Sequence, residues 1–353
     1  MPEAPLLIRR QRVPGWLSAL CYAGGLILGL AIAAGLLMAL GVPGPSLWDE
    51  FIVETFLTSD GLSQTLTAMI PLALVGLGSA LAMRVGFWNI GISGQLWMGA
   101  VAATWVSLHG IGPGALRLPL MLVLSCLAGA AWVGLPLLLR LKWNVSEVIT
   151  TLMLGSIAFL WVQHLLFGAW RDTTTGFANS RSFAPEERLP LLGWGHLHAG
   201  IWIVLGVTLL GVLVMATSRV GFYARAVGLN PRAARAAGLP VLGTIAGLVL
   251  ASGALCGLAG AVIVTGTEYR LSQTIGGDYL FSGIVIAFLA RSQLLAVLVV
   301  AFVLGGFYTT GNVLKMFYGV SEAVVLLTQG IVLLTVLSAQ LFSTYRIERR
   351  GNA

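Results

Sequence analysis

Charged residues are scarce in this chain, since Asp, Glu, Lys and Arg together make up only 9% of its 353 residues. No polar stretch is long enough to form a small soluble domain with a buried core of its own. Hydrophobic residues account for 58% of the chain, and its mean hydropathy is +0.92. This composition excludes an ordinary soluble protein and predicts a helical membrane protein.

Lysine and cysteine are nearly absent. The only lysines are Lys142 and Lys315, and no glycine-rich loop ends in Lys-Ser or Lys-Thr, so the chain lacks the usual ATP-binding loop of an ATPase. Cys21, Cys126 and Cys256 all lie in apolar stretches, which suits small packing residues rather than disulfides or metal ligands. No nucleophile and base stand in a catalytic pattern. We therefore expect no catalytic residue, no metal site and no cofactor.

Apolar runs near 20 residues long recur along the sequence and predict an all-α polytopic membrane protein with one transmembrane domain, 1–353. Three arginines precede the first run, which is too long for a cleaved signal peptide and is interpreted as a membrane helix. The third and eighth runs are short or interrupted by glycine. The ten predicted spans are residues 16–42, 62–83, 87–108, 118–139, 147–168, 199–217, 243–266, 276–290, 294–313 and 323–343.

The distribution of basic residues predicts the orientation. With the N-terminus inside, the inner segments carry 14 of the 20 Lys and Arg residues and the outer segments carry 6. This bias and the even number of spans place both termini in the cytoplasm. Because the basic residues flank apolar spans, the net charge of +7 indicates membrane topology and not nucleic-acid binding.

A basic segment, residues 218–242, separates the sixth and seventh spans on the predicted cytoplasmic side. Within it, Asn230 and Pro231 are suited to begin a short helix, and Gly238 followed by Pro240 is suited to end it. A chain this apolar has little reason to place a capped helix with arginines in water unless a soluble partner docks there. The residues expected to contact that partner are Arg225, Asn230, Pro231, Arg232, Ala233, Ala234, Arg235 and Gly238.

Polar side chains also lie in or beside the glycine-rich third span, at Asn89, Ser93 and Gln95. Polar groups at membrane depth are costly, and irregular backbone is tolerated there when it lines a cavity. These residues either line a substrate pathway or join tightly packed helices through amide hydrogen bonds, and the two interpretations carry equal weight. Asp278, at the edge of the eighth span, either faces a water-filled cavity or lies at the outer interface, which is favoured.

Two further patterns favour structural roles. Ser146 and Glu147 are suited to begin the fifth span, and the Gly253-x-x-x-Gly257 spacing is typical of helix packing.

The outer loop, residues 169–198, either covers an external opening or meets a binding protein, or is a solvated connector. Its His196-x-His198 pair is a weak indication of metal binding, because no cysteine or carboxylate cluster accompanies it.

Several of these blocks resemble one family. Phe87-Trp-Asn-Ile-Gly-Ile-Ser-Gly-Gln-Leu-Trp-Met-Gly-Ala100 is similar to the Phe-Asn-Ile-Gly-x-Glu-Gly-Gln signature of nucleoside-type ABC importer permeases, within the ribose and branched-chain amino-acid permease superfamily. Asn144-x-x-Glu-Val-Ile149 and Gly221–Gly238 resemble two more blocks of that group, the latter its cytoplasmic coupling segment. Trp88 is an insertion relative to the signature, and Ser93 stands where Glu is common.

The resemblance, which runs from about residue 62 to 343, implies a ten-helix permease of the bacterial inner membrane that imports nucleosides or a related nucleobase-like or sugar-like molecule. It also implies a second permease subunit as a heterodimer partner, ATP-binding cassette subunits, a periplasmic or lipoprotein substrate-binding protein, and surrounding membrane lipid. An ion-coupled secondary transporter is the alternative, but that mechanism usually uses carboxylates inside the membrane. Here most acidic residues lie at span ends or outside.

Overall fold

The computed structural model describes residues 6–9, 15–174, 176–275 and 279–348, and these form helices apart from one short strand pair. The helices are α1 (Gly15–Ala39), α2 (Gly44–Trp48), α3 (Ser59–Arg84), α4 (Ile92–Leu108), α5 (Gly114–Trp143), α6 (Glu147–Phe167), α7 (Gly200–Thr217), α8 (Arg219–Leu229), α9 (Pro231–Ala236), α10 (Val241–Gly266), α11 (Tyr279–Leu289), α12 (Leu294–Tyr318) and α13 (Glu322–Thr344). A π-helical segment covers Asp49–Leu57, and a single 3-10 turn covers Pro185–Glu187.

Each predicted span contains a helix, and most helix ends agree with the prediction within a few residues. The third predicted span, 87–108, began too early, because α4 starts only at Ile92 and residues 87–91 are not helical. The eighth predicted span contains α11, but its first three residues, 276–278, lie outside the described residues. The helical class is therefore confirmed, and the third span, expected to be short or interrupted by glycine, has its helix only from Ile92 onward.

Within the described part of the chain, seven helices are long and apolar enough to cross a membrane, which makes this a multi-pass protein. They are α1, α3, α5, α6, α7, α10 and α12. In the other three predicted spans, α4 and α11 have 17 and 11 residues, and α13 contributes the apolar stretch Ala323–Ala339. The count of ten spans stays a prediction.

The first of two compact units comprises Ser59–Gly306. At its centre are α3 and α10, whose apolar windows are 83% and 72% buried within the chain, against 22% for α6 and α7. Glycines allow α10 to approach its neighbours closely: a Cβ at Gly253 would collide with a side chain of α5, and one at Gly257 would collide with the carbonyl oxygen of Ser125. The predicted packing role of these two glycines is confirmed.

The second unit comprises Met1–Thr58 and Phe307–Ala353. Helices α1 and α13 pack through Gly25 and Gly29, where an added Cβ would lie 2.6 Å from Ala339 Cβ and 2.8 Å from Val332 Cα respectively. Strands β1 (Leu6–Arg9) and β2 (Tyr345–Glu348) pair antiparallel. The all-α prediction missed this pair, because four residues are too few to show the alternation of a strand.

Candidate functional site

An irregular loop, residues 85–91, joins α3 to α4 and carries the buried polar side chain of Asn89. Helix α3 ends at Arg84, and Gly86 follows with a φ of +70°, which turns the chain out of the helical path. Gly91 lies so close to α6 that an added Cβ would collide with the carbonyl oxygen of Thr151. The glycines of this motif therefore let the loop lie directly against a neighbouring helix.

Asn89 and Gln95 hydrogen bond to each other, and with Ser252 of α10 they form what we call the amide latch. Asn89 Nδ2 donates to Gln95 Oε1 at 2.9 Å, and Gln95 Nε2 donates to Asn89 Oδ1 at 2.7 Å. Asn89 Nδ2 also donates to Ser252 Oγ at 3.2 Å. All three side chains are at most 3% exposed. The latch satisfies these polar groups inside the chain and fixes the loop against α4 and α10.

The same loop is held from its other side by the start of α6. Glu147 is 6% exposed, forms an ion pair with Arg140, and accepts a hydrogen bond from the backbone N–H of Trp88 at 3.4 Å. The backbone N–H of Ile90 donates to Thr151 Oγ1 at 3.2 Å. Two motifs some 60 residues apart thus meet at one loop, which sequence reasoning did not predict.

The turn between α5 and α6 shows why Asn stands at position 144 and what Ser146 does at the start of α6. Asn144 ends α5 with a left-handed φ of 53°, a conformation that Asn tolerates better than most residues. Ser146 stands at the N-cap position of α6, but its side chain makes no capping hydrogen bond. The predicted helix start is confirmed without a capping hydrogen bond from Ser146, and Glu147, expected only to favour that start, joins the two helices through its ion pair with Arg140.

Of the two remaining predicted pathway residues, the structure describes only Ser93, which does not join the latch. Ser93 is half-buried and faces α6, where a Cβ at Gly155 would lie 3.4 Å from its Oγ. Asp278 lies outside the described residues. Among the described residues, Ser93 has no side-chain hydrogen bond to Asn89 or Gln95.

Beside the latch, an aromatic pair is exposed on the protein surface. Trp88 is 45% exposed and Phe288 of α11 is 39% exposed, and their ring centroids are 5.5 Å apart with the planes inclined at 47°. Sequence reasoning noted Trp88 as an insertion but gave it no role. The sequence signal that could have identified Trp88 is a large aromatic residue next to an amide residue in the glycine-rich motif.

The basic segment contains two helices where one was predicted. The first, α8, is capped by Ser218, whose Oγ accepts the backbone N–H of Val220 at 3.2 Å. The predicted helix is α9, and Asn230 Oδ1 accepts the N–H groups of Arg232 and Ala233 at 3.0 and 3.1 Å. The predicted start at Asn230 and Pro231 is confirmed. Helix α8, which was not predicted, precedes α9, and only Asn230 separates the two.

The end of α9 is also fixed by backbone hydrogen bonds. Gly238 has a φ of +76°, its N–H donates to the carbonyl of Arg235, and the N–H of Leu239 donates to the carbonyl of Ala234, both at 3.0 Å. This is the Schellman arrangement, in which glycine adopts the left-handed conformation after the helix. The short helix is therefore fixed at both ends by its own residues.

Most side chains of α9 point away from the chain. Arg232, Ala233 and Arg235 are exposed, whereas Ala234 is only 5% exposed and packs against this protein itself. Leu229, the last residue of α8, is 88% exposed. The surface open to a partner thus combines an apolar tip with arginines, and Ala234 supports it from within.

The outer loop, residues 169–198, is packed on the helices beneath it. The backbone N–H groups of Ser180, Phe183 and Leu189 donate to carbonyls of residues 271, 269 and 265 at 2.8 to 2.9 Å. Glu187, 2% exposed, accepts from Arg117 at 3.2 Å and from Ser107 at 2.6 Å. These contacts hold parts of the loop over the ends of α4, α5 and α10.

The two loop histidines differ in environment. His196 is exposed, while His198 is fully buried, and its Nδ1 accepts the N–H of Gly200 at 3.1 Å. Burial lowers the pKa of His198 to about 4. No group of three or more His, Cys, Asp or Glu side chains suited to a metal ion occurs among the described residues.

The chain is a multi-pass helical protein that holds one polar loop with buried hydrogen bonds and exposes a capped basic segment on its surface. The chain matches the family model described as branched-chain amino acid transport system / permease component over residues 61–337. It therefore belongs to that family.

Three relatives agree with this assignment. The glucose ABC transporter permease protein TsgB13 of Haloferax volcanii is 32% identical over 97% of this chain and 94% of its own length. The guanosine ABC transporter permease protein NupP of Bacillus subtilis is 32% identical over 89% and 91%. The nucleoside ABC transporter permease protein NupB of Lactococcus lactis is 28% identical over 78% and 79%.

These matches establish the chain as a permease subunit of an ABC transporter and a multi-pass protein of the inner membrane. The ATPase of such a system is a separate subunit, and a substrate-binding component accompanies it. The resemblance predicted from the sequence is confirmed, and the alternative of an ion-coupled secondary transporter is not favoured by any of the matches.

Proposed function

We propose that this subunit forms half of an import pathway for nucleosides or for a sugar-like molecule of similar size. The names of the relatives support this range, since they are permeases for glucose, guanosine and nucleosides. The observation that carries the nucleoside choice is the exposed Trp88–Phe288 pair. A nucleobase stacks on aromatic rings, which contributes roughly 1–3 kcal/mol per base in nucleic-acid complexes.

Competitive uptake tests this substrate class. Trp88→Ala should lower the uptake of guanosine more than that of glucose, and Trp88→Phe should restore part of it because an aromatic face remains. Trp161→Ala is a matched control, since Trp161 is 51% exposed on α6 and belongs to neither the loop nor the latch. If Trp88→Ala takes up guanosine and glucose in the same ratio as wild type does, the aromatic pair takes no part in substrate selection.

The proposed topology has ten spans with both termini in the cytoplasm, so that the basic segment meets the ATPase. The 14-to-6 distribution of Lys and Arg supports this orientation. A reporter active only outside the cytoplasm should stay inactive when it is fused after Ala353. The same reporter inserted in the outer loop should be active, and the reverse pattern would invert the topology.

The proposed docking element is the basic segment, with α9 seated on the ATP-binding subunit. Its self-capped ends and its exposed tip at Leu229 support this role. A bulky residue at Ala234 would disturb the packing of this chain, because Ala234 is buried. Ala233→Trp is a sharper test of docking, since it enlarges only the exposed face of α9. We expect that variant to uncouple ATP hydrolysis from uptake or to release the ATPase.

Ala115→Trp is the control for that experiment, because Ala115 is also exposed but lies at the start of α5, far along the chain from the basic segment. It should assemble and transport as wild type does. Normal assembly and transport by Ala233→Trp would remove α9 as the docking element.

The subunit is proposed to pair with a second, different permease and to hydrolyse no ATP itself. The absence of a phosphate-binding loop in the sequence supports the second point. Mass measurement of the purified complex should give one copy of this chain beside another permease, and a complex with two copies of this chain would instead indicate a homodimer. ATP hydrolysis by the rigorously purified chain alone would contradict the separation of roles.

A further inference from the structure

A long apolar cavity lies beside the basic segment, within the larger unit. Its volume is about 630 Å³, and it is lined by one face each of α7 and α10, with contributions from α3, α8 and the start of α12. Its floor is buried, as Leu77 and Leu248 are 2% and 4% exposed, whereas Leu210 at its rim is 62% exposed. The cavity is therefore open on the side of α7, which in a membrane protein faces hydrocarbon.

The cavity is long and narrow, a shape that suits an extended hydrocarbon chain. Its lining on α10 runs from Pro240 to Leu255, which at 1.5 Å per residue is about 22 Å. Dividing the volume by that length gives a mean cross-section of about 30 Å².

Glycines create this space. Gly243 and Gly247 stand one turn apart on the lining face of α10, and a Cβ added at either would meet no atom within 4 Å. Larger residues would fit without collision, so the room is not forced by tight packing. Gly211 of α7 also lines the cavity, where an added Cβ would touch Leu294 at 3.1 Å.

Charge distinguishes the two ends of the cavity. At the end formed by Val220 and Tyr223, the preceding residue Arg219 is exposed and has no acidic partner among the described residues. The rest of the lining is apolar except for Tyr223 and Thr244, and the Thr244 hydroxyl already donates to the carbonyl of Pro240 at 2.8 Å. An occupant that matches these features has a hydrocarbon tail and an anionic head.

We propose that this cavity binds one acyl chain of an anionic phospholipid, with the headgroup at Arg219. Anionic headgroups are attracted to basic residues at the membrane surface, and an acyl chain in the cavity replaces the void that the glycines leave. The bound lipid lies beneath α8, and so it supports the basic segment on the membrane side. This site adds to the import function proposed above and does not depend on which solute is carried.

Native mass spectrometry of the assembled complex tests the site, after exchange into nanodiscs of phosphatidylglycerol or phosphatidylcholine. Wild type should retain about one phosphatidylglycerol per chain after delipidation, and the Gly243→Leu/Gly247→Leu variant should lower that retention at least fivefold. Gly206→Leu is the matched control, because Gly206 of α7 is exposed, has nothing within 4 Å of an added Cβ and does not line the cavity. Its retention should equal that of wild type.

Arg219→Gln isolates the headgroup contact. It should lower the preference for phosphatidylglycerol over phosphatidylcholine while leaving the filled cavity intact. Retention by Gly243→Leu/Gly247→Leu at the wild-type level, with normal assembly and melting temperature, overturns the proposal, as does equal retention of both lipids by wild type. A cross-link from a Leu210→Cys variant to the second permease or the ATPase would also overturn it, since a protein would then cover the opening.

Discussion

The amide latch and the basic segment are both polar regions of an apolar chain, and they treat their polar groups in opposite ways. In the latch, Asn89, Gln95 and Ser252 are at most 3% exposed and hydrogen bond to one another. In the basic segment, Arg232 and Arg235 are exposed, and only the backbone ends of α9 are satisfied internally. The polar side chains of the first region are paired within the chain, and those of the second are exposed.

The comparison teaches that polar residues in a membrane protein have to be judged by whether their hydrogen bonds close within the chain. A closed network at membrane depth avoids the cost of an unpaired polar group and makes the loop it holds rigid. An open one at the surface costs little, because water satisfies it until a partner binds. Mutations should therefore affect stability in the latch and coupling in the basic segment, and the predictions below test that division.

Removing the charge of Arg140 should have the largest effect on stability, because it leaves the carboxylate of Glu147 buried without its partner. Breaking a buried pair costs about 3–5 kcal/mol, and the 36% exposure of the Arg140 side chain reduces the expected value to about 2–3 kcal/mol. Thermal unfolding of Arg140→Gln in detergent measures it. Lys142→Gln, two residues later and exposed, should change the unfolding free energy by less than about 0.5 kcal/mol.

A second buried group tests the same division at the outer loop. Since burial lowers the pKa of His198 from its ordinary 6.5 to about 4, the folded state resists protonation and the unfolded state takes up the proton first. The folded protein is therefore not penalised above pH 6.5 and loses stability as the pH falls from there toward 4. At pH 5 the loss should be about 2 kcal/mol.

Melting temperatures at pH 7.5 and pH 5 measure this effect. His198→Gln should remove most of the pH-dependent loss, while His196→Gln, whose ring is exposed, should keep it. The same acid sensitivity in His198→Gln would show that other groups cause it.

The sequence predicted the parts of this protein that depend on local pattern. The apolar runs located the helices, and Asn230, Pro231 and Gly238 located α9 because capping acts between near neighbours. The missed helix α8 has only a weak signal, as its eleven residues mix exposed apolar and basic side chains.

The sequence did not predict which polar groups meet. The contact between Trp88 and Glu147, and that between Asn89 and Ser252, join residues 59 and 163 positions apart, and no local periodicity reports such distances. For this reason the sequence did not distinguish a role of Asn89 and Gln95 in the substrate pathway from a role in helix packing. The hydropathy of α7 and α10, 2.3 and 2.2, also gave no sign that one is mostly exposed and the other mostly buried.

Within the latch, a double-mutant cycle should show strong coupling between Asn89 and Gln95. Asn89→Ala leaves the Gln95 amide buried without its partner, and Gln95→Ala leaves Asn89 with only its hydrogen bond to Ser252. Each change should cost about 1–3 kcal/mol of unfolding free energy. The double variant should cost less than the sum of the two, with a coupling energy of about 0.5–3 kcal/mol. Gln64→Ala is the control, because the Gln64 amide donates to Asp60 at an exposed site.

Uptake rates of the same variants show whether the latch also shapes the pathway. A loss of transport that exceeds the loss of folded protein, with the ATPase still bound, would support a role in the pathway. Unchanged uptake at normal expression would leave the latch as a purely structural device.

The smallest effect is expected at Arg232, and it sharpens the comparison from the exposed side. Arg232 is exposed, and its side chain makes no ion pair among the described residues. A contact with an acidic residue at the rim of a partner groove should contribute about 0–1 kcal/mol, because water screens it before and after docking. Arg232→Ala should therefore lower the affinity for the ATPase by less than about fivefold and leave the melting temperature of the permease unchanged. Binding of the ATPase at low and high salt measures the charge contribution directly. If Arg232→Ala abolished docking, and salt had the same effect on wild type, charge rather than the shape of α9 would hold the two subunits together, and the basic segment would depend on ion pairs as strongly as the latch depends on its amides.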